Sequence, residues 1–91
     1  MRLALKPDDD LAAVVRAQSV DSLVLILDSR WPPLVLAIAR AAIAPLAFER
    51  APATRVNAVV AGPEADRVSI EAAIDYLDHA RSVTGQIIAI S

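Results

Sequence analysis

The run Leu23-Val24-Leu25-Ile26-Leu27 leaves an extended chain with no polar side. Successive side chains of a strand point to opposite faces, so this strand needs apolar cover on both. Asp21 and Asp28 bound the run and hold it to the length of a strand. Such a strand belongs inside a parallel sheet with helices packed on either face. The rest of the chain supplies matching parts. Arg2–Lys6 alternates, with Leu3 and Leu5 on one side, as a short strand does. Val56–Ala61 and Gln86–Ile90 read as two further strands, punctuated by Gly62-Pro63 and Gly85.

The intervals between strands carry helical spacing. Pro7 opens the first helix, with Asp8, Asp9 and Asp10 at the positive end of its dipole. Leu11, Val14 and Val15 form its inner stripe. Pro32 and Pro33 open the second, which runs to about Arg50. Its apolar residues go nearly all the way round, which implies burial on more than one side. Pro45 is expected to bend or break it near Ala41–Ala44. The third runs from about Val68 to Ala80, with Ile70, Ala73, Ile74 and Leu77 inward and Ser69 as its cap. The order is β-α-β-α-β-α-β in a single domain over residues 1–91. Single-helix connections predict a three-layer α/β/α domain. They also predict right-handed crossovers, a four-stranded parallel sheet in consecutive order, and helices on both faces.

Composition narrows the functional classes. A 91-residue chain has a thin stability margin. Yet 56% of its residues are hydrophobic, with mean hydropathy +0.48, which predicts apolar surface for a partner to cover. Cysteine is absent, which excludes disulfides and thiolate metal sites. A net charge of -2 gives no basic footprint for nucleic acid. Trp31–Phe48 is apolar but contains Arg40 and Pro45, so a buried or interfacial helix is expected there, not a membrane span. Met1–Lys6 has no apolar signal core, and a cytoplasmic location is expected. No metal is expected. The aspartates suit a helix start, His79 is the single histidine, and Glu71, Asp75 and Asp78 form a solvated helix face.

Three segments resemble the C-terminal half of a short-chain dehydrogenase/reductase. The first is Arg55-Val56-Asn57-Ala58-Val59-Val60-Ala61-Gly62. The second precedes it: Leu46-Ala47-Phe48-Glu49, then Ala51-Pro52. The third is Tyr76-Leu77 followed by Val83-Thr84-Gly85-Gln86-Ile87-Ile88-Ala89-Ile90. The resemblance covers about Ser22 to Ser91 and implies half of a Rossmann-like sheet, without the nucleotide-binding βαβ half. Only Gly62 and Gly85 are present, so no Gly-rich turn exists to cradle a pyrophosphate. The resemblance puts the family's catalytic Ser near Ser29. It puts the Tyr near Trp31 or Pro32 and the Lys near Val35 or Leu36, where neither type stands. Ser29 is thus a vestigial catalytic candidate. Gly62 and Pro63, reversed relative to the family's Pro-Gly, are weak candidates for a nicotinamide contact, and no cofactor is expected.

Two functional readings follow. The first is a non-catalytic module that self-associates, as a homodimer, or binds a partner. Trp31, Leu34, Ile38 and Phe48 are its interface candidates, and the edge of the first strand offers a second route. The alternative is a nicotinamide-cofactor-binding or substrate-binding subunit that completes an oxidoreductase with another chain.

Overall fold

The computed structural model describes all of residues 1–91 and realises the expected order. Strand β1 is Arg2–Ala4, helix α1 Leu11–Arg16, β2 Ser22–Asp28 and α2 Pro33–Arg50. Strand β3 is Arg55–Ala61, α3 Arg67–His79 and β4 Ile87–Ile90. The four strands are parallel and stand in the order β1-β2-β3-β4.

Register and alternation sort the side chains between two layers. Leu23, Leu25 and Leu27 lie opposite Val56, Ala58 and Val60 and pack under α1 and α2, through Val15, Ala39, Ile43, Leu46 and Ala47. Val24 and Val59 face the other way, against Ala73, Ile74 and Leu77 of α3. Each large side chain buried this way stabilises the fold by about 1.5–3 kcal/mol over its exposed state.

One expectation fails on geometry. When parallel strands are added in one direction, crossovers of a single hand place every helix on the same face. Here α1 and α2 share a face while α3 takes the other. The β3-α3-β4 crossover is therefore opposite in hand to the other two, and the three cannot all be right-handed. Residues of β3 tie this connection down. Asn57 is fully buried under α3. Its Nδ2 donates to the Val83 carbonyl (3.1 Å) and its Oδ1 accepts from the Gln86 N–H (2.9 Å). Arg55 donates to the carbonyls of Leu77 (3.2 Å) and Asp78 (3.0 Å), which the end of α3 would otherwise leave unpaired, and to that of Ala80 (2.8 Å), which also accepts the Val83 N–H (2.9 Å). The N–H of Val56 donates to Thr84 Oγ1 and its carbonyl accepts from the Gly85 N–H. Gly85 adopts φ 78°, a left-handed conformation that glycine tolerates without strain.

The helix ends depart from expectation for local reasons. α1 starts at Leu11, not at Pro7. Asp9 Oδ2 accepts the Lys6 N–H (2.8 Å), which closes a turn, and Asp10 Oδ1 then caps the helix by accepting from Ala13 (3.1 Å). The cap of α3 is Asp66, whose carboxylate takes both the N–H (2.8 Å) and the hydroxyl (3.0 Å) of Ser69. Ser69 answers the cap instead of being it. α2 runs unbroken through Pro45. The proline is exposed, so its ring meets no packed neighbour layer, and Ile43, Leu46 and Ala47 hold the flanking turns in the core. The cost is one helical bond, because Pro45 has no N–H to offer the Ala41 carbonyl.

Asn57→Leu removes both bonds to the last loop and leaves the part-buried Val83 carbonyl and Gln86 N–H without partners. At about 1–3 kcal/mol for each unsatisfied group, the expected loss is roughly 2–4 kcal/mol in denaturant unfolding. A loss under about 0.5 kcal/mol would show that the loop needs no clamp. The exposed ion pairs set the acid response. Bonds from Arg16 hold the Glu49 carboxyl below its usual range, and bonds from Arg2 do the same for Glu71. The N–H and hydroxyl of Ser69 lower Asp66. A carboxyl lowered on folding contributes stability above its unfolded pKa and loses it as pH falls through the folded value. The melting temperature should therefore hold from pH 7 to about 5 and decline below about 4, gently, since the pairs are exposed. A melting temperature that rises on acidification would contradict this.

Candidate interaction surface

Ligands of parallel α/β sheets bind beyond the carboxyl ends of the strands, so those ends come first. β2 finishes at Asp28, whose carboxylate accepts from the Arg30 N–H (2.8 Å), Nε (3.1 Å) and Nη2 (2.8 Å). These bonds close a turn and hold the Asp28 carboxyl below its ordinary range. Ser29 follows, partly buried, with its N–H donated to the Ala61 carbonyl (3.0 Å). Gly62 donates its N–H to the Ile90 carbonyl (2.7 Å). A Cβ on Gly62 would stand 2.8 Å from that oxygen and 3.2 Å from Ser91 Cα. Close approach of β4 thus accounts for this glycine without a ligand. Pro63 is exposed in the turn beyond it.

The structure brings no proton-transfer pair to these ends. The only tyrosine, Tyr76, is 56% exposed on α3, in the layer opposite α2. The only lysine, Lys6, lies in the turn before α1. No group of His, Asp or Glu side chains is placed to hold a metal ion. Asp75 pairs with His79, Glu71 with Arg2, and Asp78 with the Met1 ammonium.

Two crevices stand out. The larger, about 590 Å³, opens at the amino ends of the strands, among Ser22, Arg55, Asp78 and Arg81. Its Arg55 and Asp78 are already committed to the end of α3 and to the terminal ammonium, so it presents few free groups. The smaller, about 340 Å³, lies between α1 and α2 on the carboxyl side of β1. Leu5, Leu11, Val35, Ile38 and Ala42 line it, and Trp31 forms a wall. Trp31 is half-buried and packs on the core, with its backbone N–H on the Asp28 carbonyl (3.1 Å).

The outer face of α2 is the largest apolar feature left uncovered. Leu34 is 72% exposed, Ile38 61% and Phe48 87%. Ala37, Ala41, Ala44 and Pro45 are exposed between them. At about 100° per residue these seven positions fall within an arc of about 120°. The expectation that α2 is buried on more than one side is thus corrected: this chain covers one side and leaves the other bare. Within the arc no side chain is charged. Arg40 stands on one flank, and Glu49 on the other is held by Arg16 through two bonds of 2.8 Å. Three of the four interface candidates named from sequence lie on this face, and Trp31 belongs to the crevice instead. The three alanines and Pro45 were missed. The seven-residue spacing of Leu34, Ala41 and Phe48 was the signal that marks them. No helix is long and apolar enough to cross a membrane.

Comparison with known proteins places this architecture. No curated protein and no solved structure matches the chain. A family model described as short chain dehydrogenase-like protein matches residues 4–90. That span takes in all but the first residues of β1, every helix and the closing strand. The chain belongs to the short chain dehydrogenase-like family.

Proposed function

We propose that this protein is a non-catalytic module of its family that acts by self-association through the outer face of α2. The observation that carries the reading is the uncharged stripe of Leu34, Ile38 and Phe48 on an otherwise well-packed helix. The absence of a Tyr and a Lys where the family places them removes the means of proton transfer to a carbonyl. The sheet edge is a poorer docking route. β1 spans three residues, and its Arg2 is already engaged by Glu71. Short edges carrying charge resist pairing with other chains.

Magnitudes set the strength of such a dimer. At these exposures, six large side chains from two copies release roughly 7–13 kcal/mol when covered. Association costs about 4–15 kcal/mol in lost freedom. The stripe from Leu34 to Phe48 is about 21 Å long and offers roughly 300 Å² per copy, below the 800 Å² or so of a standard interface. A dimer that dissociates on dilution follows, not an obligate one. The crevice beside Trp31 favours a second reading, a binding subunit for a small apolar substrate or a nicotinamide cofactor, completed by another chain. Its one cation, Lys6, stands at the rim beside Asp9 and Asp10, whose carboxylates oppose a pyrophosphate.

Sedimentation should show dimer at about 100 μM and monomer near 1 μM, a window that lies within the wide span these energies allow. Phe48→Asp should stay monomeric throughout, with unchanged circular dichroism because Phe48 makes little contact in its own chain. A monomer at every concentration would sink the self-association reading. Calorimetric titration with NAD(H) or NADP(H) at millimolar concentration should give no saturable heat. Saturable binding would instead support the cofactor-binding subunit.

A further inference from the structure

We infer that the crevice between α1 and α2 takes a small apolar molecule that carries a positive charge, an alkyl- or arylalkyl-ammonium. This rests on the second reading, that the crevice binds a small ligand, and adds the ligand's chemical class. Leu5, Leu11, Val35, Ile38 and Ala42, with Trp31 as a wall, supply an interior for an apolar body. The volume of about 340 Å³ holds roughly ten non-hydrogen atoms at about 30 Å³ each, which is a single ring with a short arm. Sites of this kind set orientation with a few polar groups at the edge of apolar walls.

Charge at the mouth decides the class. Lys6, Asp9 and Asp10 stand there, and Asp8 is exposed in the same turn. Asp9 Oδ2 accepts the Lys6 N–H (2.8 Å) and Asp10 Oδ1 accepts the Ala13 N–H (3.1 Å). Those bonds use one oxygen of each carboxylate and neutralise neither charge. None of the chain's ion pairs includes an aspartate of this turn. The cations of adjoining segments are spent elsewhere, Arg16 on Glu49 and Arg30 on Asp28. Lys6 alone does not balance three carboxylates, so the mouth carries net negative charge. It favours an ammonium and repels a carboxylate or a phosphate. The backbone bonds hold Asp9 and Asp10 in place beforehand, so little freedom is lost when a cation meets them.

Trp31 is the single tryptophan, so its emission reports on this crevice alone. Protein at about 1 μM, where the proposed association is not expected to compete, is titrated into the millimolar range. The probes are 2-phenylethylamine, 2-phenylethanol and 3-phenylpropionate, which share a ring and differ in charge. The amine, protonated at neutral pH, should bind about three- to tenfold tighter than the alcohol, as two exposed charge contacts allow, and the acid should bind weakest. Asp9→Asn combined with Asp10→Asn keeps both backbone bonds, because an Asn side-chain oxygen accepts as an Asp oxygen does and caps a helix as well. That double variant should keep its circular dichroism and lose the preference for the amine. Alcohol or acid bound as tightly as the amine overturns the charge assignment and leaves the crevice a ligand site. So does an amine preference that survives the double substitution. No saturable change in Trp31 emission or in melting temperature with any of the three overturns both.

Discussion

Asn57 occupies the one position where a polar side chain is fully buried within the sheet, and the layout of the domain hangs on its two bonds. β3 places it on the α3 side by simple alternation, between Val56 and Ala58, which face the other layer. An amide there is costly to bury unless both its donor and its acceptor are used. Val83 and Gln86 use them, and the loop that returns α3 to β4 is fixed where it must cross the sheet. Arg55, two residues earlier, secures the other end of that loop by gathering three carbonyls of α3. One strand thus holds, by hydrogen bonds, a crossover opposite in hand to the other two.

That arrangement leaves the two layers unequal. α1 and α2 share one face of the sheet and α3 covers the other alone. α2 is the longest element, and it meets the sheet with one side while an uncharged arc of about a third of its circumference lies bare on the other. The helix carries hydrophobic residues on two sides, and the chain itself covers one of them. Charges are kept to its flanks, with Glu49 bound into the fold by Arg16. The uncovered side is therefore a property of sequence and not an accident of side-chain placement.

Much of the fold was legible because it depends on pattern alone. Leu23–Leu27 required a two-sided cover, and the single helices between apolar runs required parallel strands. What pattern could not decide was competition between local groups. Asp9 and Asp10 divided the work of turn and cap between them and delayed α1 by a turn. Asp66, three residues before Ser69, won the cap of α3 through a carboxylate that takes two bonds. Pro45 was absorbed because it fell on the bare face. The hand of the last crossover depends on contacts between residues far apart in sequence, which no local reading contains. For the surface, Leu34, Ile38 and Phe48 were visible as large residues. The small ones between them were not, since an alanine looks the same in a core as in a contact.

The charge-free stripe has a consequence in time as well as in affinity. Encounter between proteins is accelerated by complementary fields, and a surface without charges forgoes that help. A partner docking on it, as proposed, would do so at the unassisted rate of about 10⁵–10⁶ M⁻¹s⁻¹. At micromolar affinity, contacts formed there last on the order of seconds or less. On the proposed reading, such a face would exchange its occupants continually, and the occupant at any moment would reflect the abundance of what surrounds it.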